Sequence, residues 1–260
     1  MLVIKIGGSV ITDKSKKSYF KQKVMKRLAF ELKNSNKEIV LVHGAGSFGH
    51  VLAKQYNLND GFKNSSQLKG FSVTHAMVQQ LNSLVLKELH EVGVLAVSIP
   101  PHAFLKLNNH KPISSDFNIF KEYLKLGFTP VTFGDVVLDE TLSFSICSGD
   151  LLLQMLADWL KPDKIIFVID EDGLYTSNPK IDKNAEFIRK ANIDELENLT
   201  TKPDAHDDVT KGMQGKIETI KNIANLGIDT ILLNGNVDNR LYDILTGQET
   251  KHTLIYGGKK

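Results

Sequence analysis

Lys5-Ile6-Gly7-Gly8-Ser9 sets a lysine inside an otherwise apolar, strand-like run, two residues before a double glycine. A buried ammonium is costly unless an anion meets it. A Gly-Gly turn leaves backbone N–H groups able to hold that anion. The same lysine on an edge strand would simply face water. Lys14 follows in a small basic group with Lys16 and Lys17. A second stretch, Ile39 to His50, stops an apolar run at Gly44-Ala45-Gly46-Ser47-Phe48-Gly49, with His43 and His50 on either side. Three glycines in six positions let backbone come close to a ligand. A helix starting there would turn its positive end toward an anion, although a plain strand-to-helix turn has the same composition.

Three further stretches join these. Ser148-Gly149-Asp150 opens a helical segment on a capping-type residue. Asp170 ends the most strand-like run of the chain, ahead of Asp172-Gly173, where a carboxylate organises cations or simply makes the turn. Asp208-Val209-Thr210-Lys211-Gly212-Met213-Gln214-Gly215-Lys216 opens another helix and puts Lys216 in its first turns.

The spacing of residues 44–49 satisfies G-x-G-x-x-G, but a dinucleotide fold needs an acidic residue about 20 positions on, at the end of the next strand. Asp60 lies instead in a polar loop before a long helix. No G-x-x-x-x-G-K-[ST] occurs, which excludes a P-loop, and Ser47 lacks the G-x-S-x-G of a hydrolase elbow. What remains is a set of three lysines (Lys5, Lys14, Lys216), two glycine-rich anion cradles and an aspartate. Phosphoryl transfer needs such a set, because donor and acceptor must be held in line while cations neutralise developing charge.

The elements that must position these groups alternate between strand and helix. Strands are expected over Leu2–Ile6, Ile39–Val42, Leu95–Ile99, Thr129–Phe133, Lys164–Ile169 and Thr230–Leu233, with Thr253–Tyr256 closing an edge and a hairpin over Val136–Leu138 and Ser143–Ile146. Helices are expected over Phe20–Lys33, Gln67–His90, Phe117–Leu126, Asp150–Leu160, Gly212–Leu226 and Arg240–Leu245. In the long helix, Leu68, Phe71, Val78, Leu81, Val85 and Leu89 line one face. Ser177 to Asp208 reads as loop with a short helix near Ile193–Leu199. Such alternation predicts an α/β fold, a three-layer αβα sandwich on a largely parallel central sheet, with ligands beyond the carboxyl ends of the strands.

Composition narrows the setting. At 260 residues the chain can bury a full α/β core. A net charge of +2 gives no electrostatic case for nucleic acid. No apolar run approaches the roughly 18 residues of a membrane span, no signal-peptide pattern opens the chain, and the expected location is cytoplasmic. The single cysteine, Cys147, excludes an intramolecular disulfide and a cysteine-built zinc site.

Taken in order, Lys-x-Gly-Gly-Ser, His-Gly-Ala-Gly, Ser-Gly-Asp, Asp-x-Asp-Gly and Asp-Val-Thr-x-Gly-Met-x-x-Lys resemble the amino acid kinase superfamily from Leu2 to about Leu233. Within it, His43-Gly44-Ala45-Gly46-Ser47-Phe48-Gly49-His50 is most similar to the isopentenyl phosphate kinases of archaeal type, because the acetylglutamate and uridylate kinases lack the terminal histidine. The resemblance implies transfer of a phosphoryl group from ATP to isopentenyl phosphate, with Mg²⁺ and without nucleic acid or membrane. It also implies a homodimer of single-domain chains, with an acceptor-binding lobe over about 1–160 and a nucleotide-binding lobe over about 161–260.

Carried over residue by residue, Lys5, Gly7, Gly8 and Ser9 would hold ATP phosphates, with Gly46 on the same side, and Lys14 would stabilise the transferring group. Ala45, Gly49, His50 and Gly149 would bind the acceptor. Asp170 would organise the lysines. Gly212 and Lys216 would complete the nucleotide site, with Tyr175 and Pro179 near adenosine, and no protein side chain is assigned to the metal. Phe71, Val73, Met77, Val78 and Ile146 are candidates for the apolar slot of a five-carbon tail, although such residues are usually core. Two positions depart from the family pattern on the ATP side: Glu171 within Asp170-Glu171-Asp172-Gly173, and Lys211 within Thr210-Lys211-Gly212-Met213. A relative acting on another small phosphate or phosphonate, or a non-catalytic nucleotide-binding chain, would share most of these features.

Overall fold

The computed structural model describes residues 1–13, 15–16, 18–197 and 212–258. Its frame is an eight-stranded sheet built from β1 (Leu2–Ile6), β2 (Ile39–His43), β3 (Ala96–Ser98), β6 (Thr129–Phe133), β9 (Lys164–Ile169), β10 (Lys190–Ala191), β11 (Asp229–Asn234) and β12 (Thr253–Ile255). Across the sheet the order is β10-β12-β11-β9-β1-β2-β6-β3. Every neighbouring pair is parallel except β11 and β12. A second, four-stranded sheet holds β4 (Leu105–Asn108), β5 (Lys111–Ser115), β7 (Asp135–Asp139) and β8 (Ser143–Cys147), in the order β8-β7-β4-β5.

Parallel strands are buried on both faces, and alternate residues divide between two cores. Val3, Val40, Val42, Ile165, Phe167 and Leu232 pack with Phe120 of α5 (Asn118–Lys125), Leu152 and Leu156 of α6 (Gly149–Leu160) and Ile217, Ile220 and Ile223 of α8 (Gly212–Asn225). Ile4, Ile6, Leu41, Ile166, Val168 and Leu233 pack on the other side with α2 (Gln22–Asn34), α4 (Ser66–Glu91) and α9 (Arg240–Thr246) through Met25, Leu28, Leu81, Val85, Leu89 and Leu241. Each fully buried aliphatic side chain is worth about 1.5–3 kcal/mol, so the sandwich is held from both sides. The expected three-layer αβα arrangement is present.

Several expectations change in detail. Gly8–Ile11 is a helical turn (α1), not an open turn: the Thr12 N–H closes it on Gly8 O, and Thr12 Oγ1 donates to the same oxygen (2.7 Å). Phe20 is not helical but pairs with Thr12 in a two-residue ladder. Leu68 is 56% exposed, and the buried face of α4 runs instead through Gln67, Gly70, Thr74 and Val78. Thr253–Ile255 does not close the sheet, since β10 pairs outside it. The short helix near residue 193 runs over Ile193–Glu197 (α7), and its expected end lies outside the described residues. Strands β4 and β5 went unread in the sequence, where Asn108, Asn109 and Pro112 look like loop.

Candidate active site

Lys5 is on β1, in the middle of the sheet, with Phe167 and Val42 as its register partners on β9 and β2. The edge-strand alternative is therefore excluded. Alternation puts its side chain on the face covered by α6 and α8. Ser148 caps α6 by accepting from Leu151 N–H (3.1 Å), which fixes Asp150 in the first turn. The Lys5 ammonium donates to Asp150 Oδ1 at 2.6 Å, and Lys216 Nζ approaches the same oxygen at 3.7 Å. Both ammoniums lie over the Phe167 ring, 5.8 and 5.4 Å from its centroid. Burial alone would raise the pKa of Asp150, but the Lys216 and Lys5 charges outweigh it and hold the carboxyl at about 2. The carboxylate between Lys5 and Lys216 is thus Asp150.

Asp170 ends β9 and takes other partners. Its Oδ1 accepts from Ser9 Oγ (3.0 Å), and its Oδ2 lies 3.7 Å from Lys180 Nζ, which also pairs with Glu171 at 2.5 Å. Lys180 follows Pro179 directly, so that half-buried segment meets the end of β9. Tyr175 stacks edge-on against Phe187 in a two-residue hairpin (5.4 Å). Glu171, one of the two departures, is thereby occupied by Lys180. Lys14 and Lys211 lie outside the described residues, and Gly212 opens α8.

The glycine turns abut at the carboxyl end of the sheet. A Cβ on Gly8 would sit 2.5 Å from the Gly46 nitrogen, and one on Gly44 would sit 2.6 Å from the Gly8 nitrogen. Gly46 has φ +51°, and a Cβ there would strike Thr12. The helices that begin here, α1 and α3 (Gly46–Gln55), have Gly7 and Ala45 as N-caps, residues with no polar side chain to cap them. Ser47 N–H is satisfied by Thr12 Oγ1 (3.0 Å). Gly7 N–H bonds Val168 O, and Gly44 N–H bonds Ile6 O, so both turns are pinned to strand ends.

On the far side of this edge, a Cβ on Gly149 would come 3.1 Å from Lys5 Cε, which explains the glycine by close approach. Gly49 is required by packing, since its Cβ would lie 2.6 Å from that of Ala45 and 3.2 Å from Val78. His50 is half-buried on α3. His43 is wholly buried, stacked on Phe133 (5.1 Å) and in contact with Asn82 Oδ1 (3.2 Å); burial pulls its imidazole down to about 4. It is a neutral structural group. Among the tail-slot candidates, Phe71 and Ile146 are half-buried together against Phe144 and Val136. Val78 and Met77 belong to core clusters, and Val73 is exposed at 36%. Cys147 is buried, and burial together with Asp135 pushes its thiol far up, away from thiolate chemistry.

The family described as "Amino acid kinase family" matches residues 1–234. The isopentenyl phosphate kinase of Methanothermobacter thermautotrophicus is 36% identical over 266 aligned residues, spanning 99% of this chain and 99% of that protein. That of Thermoplasma acidophilum is 33% identical, spanning 94% and 96%. A solved isopentenyl phosphate kinase superposes with TM-score 0.87 at 33% identity, over 98% of this chain and 99% of that one. The UMP kinase of Ureaplasma parvum shares the fold at 15% identity, with TM-score 0.68. The chain belongs to the amino acid kinase family, and by sequence and structure it groups there with the isopentenyl phosphate kinases.

Proposed function

We propose that this protein transfers the γ-phosphoryl group of ATP to isopentenyl phosphate, giving isopentenyl diphosphate and ADP. The observation that carries this reading is the pair of ammoniums, Lys5 and Lys216, held by one buried carboxylate beside two glycine turns that admit no side chain. The relatives' names supply the acceptor. An acceptor phosphate oxygen attacks the γ-phosphorus and the bond to the β-bridging oxygen breaks. The acceptor is already an oxyanion near neutral pH, so no general base is required.

In this reading Gly8, Ser9 and Gly46 offer backbone to the ATP phosphates and Gly7, pinned to Val168 O, fixes the turn that presents them, while Lys5, Lys14 and Lys216 neutralise the charge that shifts toward the leaving oxygen. Asp150 positions two of the three. Asp170, Tyr175, Pro179 and Gly212 serve the nucleotide side, in the half after about residue 160. Ala45, Gly49, His50 and Gly149 serve the acceptor side before it. Phe71 and Ile146 offer the apolar wall for the five-carbon tail. Mg²⁺ generally keeps several waters and takes one or two carboxylates besides phosphate oxygens. Asp150 is committed to two ammoniums, so it does not fit as a metal ligand, and the ion would arrive on the ATP phosphates. A homodimer acting in the cytoplasm completes the proposal; among the described residues no helix is long and apolar enough to cross a membrane.

The test is a coupled ADP-release assay with isopentenyl phosphate, acetylglutamate, UMP and carbamate as acceptors. Turnover with isopentenyl phosphate is expected, and turnover with only one of the others overturns the reading. His50→Ala should weaken acceptor use on the order of 100-fold, the scale at which misplacing a reacting group acts. ATP binding by calorimetry should stay nearly unchanged, and equal loss of both ligands would remove His50 from the acceptor side.

A further inference from the structure

A second convergence of polar side chains lies outside the lysine cluster. His75 comes from α4, His102 from a short 3₁₀ turn, Pro101–Ala103, after β3, and Asp135 from the first position of β7. The Asp135 side chain is wholly buried, behind two histidines that are 28% and 37% exposed. Its Oδ1 accepts the Val136 N–H at 2.8 Å, which leaves Oδ2 for the imidazoles. His75 Nδ1 lies 2.8 Å and His102 Nδ1 3.6 Å from that oxygen. The two rings meet edge to face, 4.3 Å between centroids at 82°. One donor atom of each residue lies within 4.8 Å of the other two, an arrangement found for no other such group among the described residues.

Three separate elements bring these groups together, and the phosphoryl-transfer reading uses none of them. Two imidazoles and a carboxylate suit a borderline-soft divalent cation. Donors around a tetrahedral Zn²⁺ sit about 3.4 Å apart, given Zn–N bonds of 2.0–2.1 Å. The present separations bracket that value, and half-exposed histidines can rotate into it. The backbone hydrogen bond on Oδ1 is the outer-shell contact that orients a ligating carboxylate. Partial exposure of both rings gives an ion a way in.

We propose that His75, His102 and Asp135 form a site for a divalent transition-metal ion of the zinc class, with three protein ligands and an open fourth position. Binding there ties α4 and the turn after β3 to the small sheet. It also fixes the ring of His75, on which Phe71 stacks at 6.4 Å.

The test uses the full chain stripped of metal by chelation and assayed without ATP, which itself binds metals. Zn²⁺ is titrated against a chromophoric chelator, and Co²⁺ serves as a spectroscopic probe. One equivalent of Zn²⁺ should bind, with Co²⁺ giving the intense visible bands of tetrahedral nitrogen and oxygen coordination. His102→Gln and His75→Gln should each weaken Zn²⁺ binding at least tenfold and abolish those bands, with circular dichroism unchanged. Both variants alter partly exposed side chains, so their fold is expected to survive. Absence of Zn²⁺ uptake by the parent protein overturns the proposal, and so does equal uptake by a folded variant. Neither result depends on whether isopentenyl phosphate is the acceptor.

Discussion

Asp150 holds Lys5 and approaches Lys216, and its replacement separates structural from catalytic cost. Removing one member of a buried ion pair leaves an uncompensated charge and costs about 3–5 kcal/mol. Asp150→Ala should lose stability on that scale in urea denaturation. Asp150→Asn retains a hydrogen-bond acceptor and should lose less, while kcat drops on the order of 100-fold because the two ammoniums are no longer aimed. An Asp150→Asn enzyme with unchanged kcat would deny the carboxylate its positioning role. Lys5 was legible because a charge stands out in an apolar strand, and Lys216 because it follows a helix opening. Asp150 was read only as part of a helix start, since Ser-Gly-Asp looks the same whether its carboxylate caps a helix or meets a lysine. Only the packing of α6 on β1 distinguishes the two. His75, His102 and Asp135 carry no spacing signal at all, because the fold and not the chain makes them neighbours.

The turns that end β1 and β2 act as one element. Gly8 and Gly44 touch backbone to backbone, and Gly46 adopts φ +51° against Thr12. A left-handed conformation costs an L-residue about 1–2 kcal/mol before any clash is counted. Gly46→Ala should therefore lower the melting temperature by about 2–4 °C for each kcal/mol lost. ATP affinity should fall with it, as calorimetry would register; an unchanged melting point would mean that Thr12 and α3 shift freely. The strands and long helices were legible, because apolar alternation and 3.6-residue periodicity follow directly from burial. The helical turn at Gly8–Ile11 was not, since glycine signals a turn; the Thr12 N–H closes it and the Thr12 hydroxyl reinforces the closure. Strand β4 was hidden for another reason: it is completed by distant residues, with Glu140 N–H bonding Leu107 O and Asp139 accepting from Asn109 and His110.

Across the whole molecule, buried titratable groups set how stability responds to acid. Burial holds His43 at about 4 against its ordinary 6.5, so the unfolded chain takes up a proton that the fold refuses. Stability therefore falls as pH drops from 6.5 toward 4, by about 3 kcal/mol in total. A second window lies lower. In Asp172, burial is outweighed by hydrogen bonds from Lys251, Arg240 and Asn234; in Asp139, by the backbone N–H groups of His110, Leu142 and Asn109. Both sit at about 2 against 3.8, so their contribution is present above about 4 and is lost as pH falls toward 2. Urea midpoints measured from pH 7 to 3 should decline through the first window into the second. His43→Gln should flatten the first and leave the second; an unchanged slope between 6.5 and 4 would show that another group carries it. The central place of β1 also shapes how the molecule is made. Strand β1 pairs on one side with β9, where Leu2 meets Lys164 far along the chain, and that strand must in turn await β11. Long-range parallel pairing closes large loops before it is rewarded, which slows folding. Lys5 therefore waits for most of the chain to emerge before its partners exist, and no nascent fragment ending before α8 contains the two-lysine site.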